Sequence, residues 1–224
     1  MKTIYKIIMI LAFCLVILIG GIRFCLTPLF IDLEYDLPGF PMDKFGFTKD
    51  IRSEFAYQSV DYLIGKLTDA EFQAITTPDG KPLFNQREFS HMQDVRDLTV
   101  IVLRVWYISI GIMLVGIFLA IKLDWRKTLD QAGKSAGMLI FLFILLVLLG
   151  VSLDFNQLFT AFHSIFFEGD TWLFYTDDSL IRLFPTPFWV NVFITIGVIS
   201  ITLAFFLYFS CGSLLKRYKN KEEV

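Results

Sequence analysis

Cysteine and recognisable catalytic motifs are scarce in this sequence of 224 residues. Its three cysteines, Cys14, Cys25 and Cys211, each lie in or beside an apolar run, so they predict neither a disulfide framework nor a CxxC metal site. No HExxH pattern, Gly-rich phosphate loop or serine nucleophile motif occurs. The sequence therefore lacks the common signatures of zinc hydrolases, nucleotide-binding proteins and serine hydrolases.

Charge is also sparse, whereas apolar residues are abundant. Hydrophobic residues make up 55% of the chain, charged residues 19%, and the net charge is −2. Four stretches approach or exceed the length of about 20 apolar residues that crosses a bilayer. We therefore predict a mainly α, polytopic membrane protein with four transmembrane helices. The acidic character of its external segments argues against nucleic acid as a partner.

The apolar runs divide the chain into alternating membrane and polar segments. The predicted transmembrane helices are residues 1–26, 99–123, 135–153 and 187–210. The intervening segments are an extracytoplasmic domain (27–98), a cytoplasmic loop (124–134), an extracytoplasmic loop with an interfacial helix (154–186) and a cytoplasmic tail (211–224). Because Asp79-Gly80 is a strong hairpin signal, we expect the extracytoplasmic domain to be a small α+β domain.

The distribution of basic residues predicts the orientation. Lysines and arginines flank the N-terminus, the 124–134 loop and the C-terminal tail, whereas the 154–186 loop has Arg182 against five acidic residues. By the positive-inside rule, both termini should be cytoplasmic. The segments 27–98 and 154–186 should then face the same, outer side of the membrane.

A polar stretch before the second predicted span contains the first candidate site residue, His91. Asn85 and Glu88 have the spacing of a capping box at a helix N-terminus. In that helix Glu88, Asp94 and Arg87 recur on the face of His91, where the carboxylates could support its charged form. Histidine titrates near neutrality and can take up and return a proton there.

The only other histidine is His163, which also lies beside an apolar segment. Both histidines fall in segments predicted to face the outer side, so they could form one acid–base site. Trp172 and Trp189 are interpreted as interfacial belt residues.

Arg104 lies about a turn and a half inside the second span, where a charge is costly and usually has a partner. It could extend to the interface, or pair with Asp154 or Asp94 near the site, or hold a carbonyl or phosphate oxygen as a fixed cation near the outer leaflet. Two histidines and several acids permit a metal site, but no ligand spacing supports one, so we predict no metal and no cofactor.

Two motifs resemble a known family. They are Phe84-Asn-Gln-Arg-Glu-Phe-Ser-His-Met-Gln-Asp-Val-Arg and Phe162-His-Ser-Ile-Phe-Phe-Glu-Gly-Asp-Thr-Trp-Leu-Phe. With four spans and two external loops, they are similar to the bacterial lipoprotein intramolecular transacylases. The resemblance covers nearly the whole chain. It implies an acyltransferase of the bacterial cell membrane that moves the sn-2 acyl chain of a diacylglyceryl-cysteine lipoprotein to the cysteine α-amine, leaving the lyso form.

The resemblance also implies that His91 and His163 are the functional histidines, at the outer leaflet, with lipoprotein and membrane lipid as partners. A histidine base suits this chemistry because an α-amine of pKa about 8 is mostly protonated at neutral pH. Either histidine could be the base, and Glu88 and Asp94 favour His91. Two other functions stay open: a non-catalytic accessory or lipid-binding factor with a histidine switch, and a metal-dependent membrane hydrolase.

Overall fold

Helices account for most of the structure, a computed structural model that describes residues 1–167 and 169–222, with side chains described as far as residue 210. Cys211 and the basic side chains of the tail lie outside that description. In chain order the helices are α1 (Lys2–Cys25), α2 (Pro28–Tyr35), α3 (Lys49–Leu63), α4 (Asp69–Gln73), α5 (Gln86–Lys122), α6 (Arg126–Phe166), α7 (Ser179–Leu183) and α8 (Thr186–Glu222).

Four of these helices, α1, α5, α6 and α8, are long and apolar enough to cross a membrane. In α8 the qualifying part is Thr186–Ser210. They expose many large apolar side chains, as expected of surfaces that face lipid rather than water. The prediction of a mainly helical protein with four membrane-spanning helices is confirmed.

The chain divides into two compact units, and the first consists of membrane-spanning helices. Small residues allow close contact there. Tyr5 donates a hydrogen bond to the carbonyl oxygen of Gly116 at 2.9 Å, and a Cβ at Gly116 would lie 2.1 Å from the sulfur of Met9. Side chains that pack directly against the backbone of a glycine on a neighbouring helix are typical of helix packing in membranes. The unit comprises Met1–Arg23, Leu103–Leu149 and α8 from Ile194 onward.

The second unit, Phe24–Val102 and Gly150–Phe193, carries both histidines. Its core is largely aromatic: Tyr62 stacks on Phe72 with ring centroids 4.0 Å apart, and Phe72 stacks on Phe84 at 4.9 Å. The helices α2, α3 and α4 begin at threonine caps. Thr68, for example, forms a complete capping box with Glu71 at the start of α4. The buried core side chains are Phe55, Tyr62, Phe72, Leu83, Phe84, Phe89, Met92, Leu180 and Leu183.

The expected α+β domain is not found, because this region is helical and no strand occurs in the described part of the chain. The Asp79-Gly80 turn does form, with Gly80 at φ +80° and an isolated bridge between Thr76 and Pro82. Pro82 has no N–H to donate, so the bridge cannot extend into a ladder on that side. A strong turn signal therefore produced a turn without a sheet.

One ion pair fastens the irregular segment after α2 to α7. The guanidinium of Arg182 donates two hydrogen bonds, each of 3.0 Å, to the Asp43 carboxylate, whose side chain is only 1% exposed. Burial alone would raise the pKa of Asp43, but the hydrogen bonds from Arg182 and from the Phe47 and Phe45 amides hold that pKa below its usual value. The paired form is therefore charged at neutral pH.

Replacing Asp43 tests this attachment. We expect Asp43→Asn to lower the free energy of unfolding by about 3 kcal/mol, because Arg182 would lose its carboxylate in a mostly buried position. The effect should be full at neutral pH and vanish as the pH falls through the lowered pKa of Asp43. Thermal or denaturant unfolding in detergent measures it.

Asp79→Asn is the matched control, since Asp79 forms an exposed ion pair with Lys81 and should contribute little. Equal destabilisation by the two variants would contradict the expectation for Asp43.

Candidate functional site

The site begins at the N-terminus of α5. The side-chain oxygen of Asn85 accepts hydrogen bonds from the amides of Arg87 and Glu88, both at 3.0 Å. The Glu88 carboxylate returns a bond to the Asn85 amide at 2.8 Å. This is the predicted capping box, and it is confirmed. It fixes the first turn of the helix, from which His91 projects.

Glu88 also reaches across to α7. Its second carboxylate oxygen accepts a hydrogen bond from the Leu180 amide at 2.8 Å, and the residue is 2% exposed. Beside it, the Ser179 hydroxyl donates to the carbonyl oxygen of Leu83. A buried carboxylate thus satisfies amides at the starts of two helices, which fastens α7 to α5.

His163 lies on the part of α6 that follows a break. Asp154 interrupts the helix with φ −158° and ψ 95°, and its carboxylate accepts from the Gln157 amide at 3.0 Å, which caps the resumed helix. Two turns further on, Nδ1 of His163 lies 2.8 Å from the carbonyl oxygen of Phe159. A carbonyl can only accept, so Nδ1 carries the proton in this contact.

The structure brings the two histidines together. Their ring centroids are 6.3 Å apart and the rings are nearly parallel, at 23°. Each residue is 8% exposed. Nδ1 of His91 is buried and has no hydrogen-bond partner among the described residues. The two imidazoles therefore form one enclosed pair with different hydrogen-bonding at their Nδ1 atoms.

Aromatic rings enclose this pair. The His91 ring lies 5.0 Å from Phe167 and 5.3 Å from Phe174. The His163 ring lies 4.1 Å from Phe159 and 4.6 Å from Trp172, and Phe167 also contacts it. Such surroundings disfavour an unpaired charge and favour neutral imidazoles. They also leave little room for water beside the rings.

The other predicted site residues are placed elsewhere. The Glu88 carboxylate is engaged by Asn85 and Leu180. Asp94 is exposed on α5, and Asp154 is exposed and caps its own helix. Arg104 is exposed and belongs to the first unit. Of the six candidates, the structure therefore brings together the two histidines, with Glu88 shaping the turn that carries one of them.

Sequence reasoning missed the residues that cover the pair. Trp172, interpreted as a belt residue, packs on His163, and Phe174 packs on His91. Asp178 accepts hydrogen bonds from Asn85 and Arg87, both at 2.9 Å. The many aromatic residues that follow His163 were the available signal for this cover. Hydropathy alone, however, assigns such residues to the membrane interface.

A metal centre finds no ligand set in the described part of the chain. No three histidine, cysteine, aspartate or glutamate side chains converge there as metal ligands would. The histidine pair offers two imidazoles, and the rings packed against it, Phe159, Phe167, Trp172 and Phe174, carry no metal ligand. Acid–base chemistry by neutral imidazoles suits this donor set better than metal coordination does.

Comparison with known proteins supports the sequence resemblance. The family model for the lipoprotein intramolecular transacylase Lit matches residues 7–189. A related chain is an uncharacterized protein of Aquifex aeolicus (strain VF5), 29% identical over 221 residues that cover 97% of each chain.

Solved structures have the same fold. The in meso structure of Lit from Bacillus cereus superposes with a TM-score of 0.72 at 19% identity, covering 100% of this chain and 98% of that one. A variant of the same enzyme, with one histidine replaced by arginine, gives 0.71 at 18% identity, covering 99% and 95%. By its family match, this multi-pass membrane protein belongs to the lipoprotein intramolecular transacylase family.

Proposed function

We propose that this protein transfers the sn-2 acyl chain of a diacylglyceryl-cysteine lipoprotein from the glyceryl oxygen to the cysteine α-amine, giving the lyso form. The observation that carries the proposal is the enclosed pair of His91 and His163, with ring centroids 6.3 Å apart. Ester and amine belong to one substrate molecule, so proximity is already supplied and no covalent enzyme intermediate is needed.

His163 is the better candidate for the general base. Its Nδ1–H is held by the Phe159 carbonyl at 2.8 Å, which leaves the lone pair on Nε2. The same hydrogen bond stays in place when Nε2 takes up a proton, so it supports the cationic form during the reaction. This assignment reverses the sequence-based preference for His91 as the base. That preference depended on Glu88, whose carboxylate binds the Asn85 and Leu180 amides, and on Asp94, which is exposed.

His91 is suited to be a neutral donor. Nδ1 is buried and has no partner among the described residues, and a bare nitrogen is cheaper to bury unpaired than an N–H group is. The proton then resides on Nε2, where it can donate a hydrogen bond to the oxyanion of a tetrahedral intermediate. A neutral imidazole in an apolar site can serve as such an electrophile.

The proton balance closes within the pair and the substrate. An ammonium substrate first loses one proton to solvent. The amine nitrogen then attacks the ester carbon while His163 removes a proton from that nitrogen, and His91 donates to the oxyanion. Collapse breaks the bond to the glyceryl oxygen, which takes the proton back from His163. The products are an N-acyl amide and a free glyceryl hydroxyl.

The tautomer of His163 can be measured directly. We expect the neutral ring to carry its proton on Nδ1, because the Phe159 carbonyl accepts there. Histidine ¹⁵N chemical shifts distinguish the two nitrogens, and the His91→Ala variant assigns the signal. A neutral His163 protonated on Nε2 would contradict the assignment of this residue as base.

Both histidines should be needed for activity. We expect His91→Ala and His163→Ala each to slow formation of the lyso lipoprotein by about 10²–10⁴-fold, the usual contribution of general acid–base catalysis. The double variant should be little worse than either one, since the residues act as a unit. Mass spectrometry of lipoprotein N-termini from cells expressing each variant is the measurement.

Ser90→Ala and Ser164→Ala are matched controls, because each alters the residue beside one histidine. Both serines are exposed, so their variants should retain activity. Wild-type rates in a properly inserted histidine variant would instead favour a non-catalytic accessory role for the protein.

The proposed orientation puts both termini in the cytoplasm and the histidine pair at the outer leaflet. It rests on the lysines and arginines of the short loops. In a background without native cysteines, a membrane-impermeant thiol reagent should label Asp79→Cys in intact cells but not Lys127→Cys. Lysed cells should show labelling at both positions. The reverse pattern in intact cells would refute the orientation.

A further inference from the structure

One short segment covers both imidazoles. In residues 171–175, here called the aromatic loop, two alternate residues each place a ring on one histidine. The Trp172 ring lies 4.6 Å from that of His163, and the Phe174 ring lies 5.3 Å from that of His91. The loop is therefore a cover with one aromatic side chain for each member of the pair.

This cover is incompatible with a bound substrate of the proposed size. Each histidine is 8% exposed, whereas the reacting lipoprotein terminus must bring both an amine and a branched acyl ester against the pair. Contact with an imidazole nitrogen requires van der Waals space that neighbouring rings now fill. The aromatic loop must therefore move before the reaction.

Arg87 holds the loop in the covering position. Its guanidinium lies over the Phe174 ring at 5.2 Å and the Tyr175 ring at 5.0 Å. It also pairs with Asp178 at 2.9 Å. Arg87 lies one helical turn before His91 on α5, so the same helix face that presents the imidazole also holds its cover.

The Asp178 carboxylate binds both the aromatic loop and the first turn of α5. One carboxylate oxygen accepts from the Asn85 side chain at 2.9 Å. The other accepts from Arg87 at 2.9 Å and from the Tyr175 amide at 2.8 Å. The carboxylate therefore ties the end of the loop to the N-terminus of α5.

The exposure of these groups suits a releasable contact. The Arg87 side chain is 42% exposed and that of Asp178 is 12% exposed. Partial exposure leaves the pair open to screening by salt. The neighbouring bond of Glu88 to the Leu180 amide is buried, so α7 can stay anchored while the loop ahead of it opens.

We propose that Arg87 is a positioning residue that latches the aromatic loop over the histidine pair through Asp178, and that release of this latch admits the lipidated N-terminus. This inference rests on the proposed function for the identity of the substrate. The latch itself is a property of the protein without substrate, and it can be tested in that state.

The test measures how fast diethyl pyrocarbonate modifies the two histidines of the purified full-length protein. Mass spectrometry of the modified peptides gives the rate at each residue. We expect Arg87→Ala to raise both rates by about 5- to 30-fold, the factor that one partly exposed ion pair and the cation–π contacts of Arg87 provide together. Asp178→Asn removes the ion pair but leaves Arg87 over its rings, so it should raise both rates by about 2- to 5-fold. Arg87→Lys, which keeps the charge without the planar stacking, should lie between Arg87→Ala and wild type.

Arg96→Ala is the matched control. Arg96 forms the same kind of attachment on the same helix, with Asp69 at 2.8 Å and the Tyr62 ring at 5.1 Å, but these partners lie outside the loop. Its loss should leave the modification rates unchanged. Unfolding midpoints equal to wild type confirm that the variants are folded.

Salt separates a latch from general loosening. Raising the ionic strength should speed modification of wild type and of Arg96→Ala, and should have no effect on Arg87→Ala, which has already lost the ion pair between Arg87 and Asp178. Unchanged rates in folded Arg87→Ala and Asp178→Asn, or an equal rise in Arg96→Ala, would overturn the latch. Failure of wild type to form lyso lipoprotein would overturn the proposed function alone.

Discussion

The buried carboxylate of Glu88 is the constraint on which the candidate site depends. One oxygen completes the cap of α5 and the other accepts from the Leu180 amide at the start of α7. Without it, the buried Leu180 amide would lose its acceptor, at a cost of about 1–3 kcal/mol, and the partly buried Asn85 amide would lose the bond that completes the cap. Since His91 follows less than one turn after Glu88, the bond that fastens the two helices also sets the direction in which the imidazole projects.

The position of the second histidine, His163, depends on a break in α6 rather than on a hydrogen bond between two helices. At Asp154 the backbone of α6 becomes extended, and the same residue then caps the resumed helix through the Gln157 amide. An uninterrupted helix would carry His163 onward along the original axis. Asp154 both ends the first part of α6 and caps the second part. The helix therefore changes direction at one residue and loses only a few backbone hydrogen bonds.

Local signals in the sequence predicted local structure well. The Asn85 and Glu88 cap, the four spans and the two candidate histidines all follow from spacing and hydropathy. That His91 and His163 share one site was a hypothesis from their common side of the membrane and from the family resemblance. Spacing could not give their contact geometry, because it joins residues far apart in the chain through the orientation of two helices. The prediction of an α+β domain was wrong because the turn signal at Asp79-Gly80 does not show whether the residues on either side can pair as strands. The contact of Trp172 with His163 was not predicted, because the sequence does not show whether an aromatic residue near a membrane faces lipid or a site.

Enclosure by aromatic rings determines which reaction a neutral imidazole pair can perform. A base beside an oxyanion donor activates water as readily as an amine, and water attack on the same ester would release a fatty acid. Phe159 and Phe167, which lie outside the aromatic loop, keep apolar surface against the pair when the loop has moved, while the substrate of the proposed reaction brings its own amine within reach. Exclusion of water would therefore favour the proposed amide formation over hydrolysis, and it would do so with apolar surface rather than with a specific polar contact.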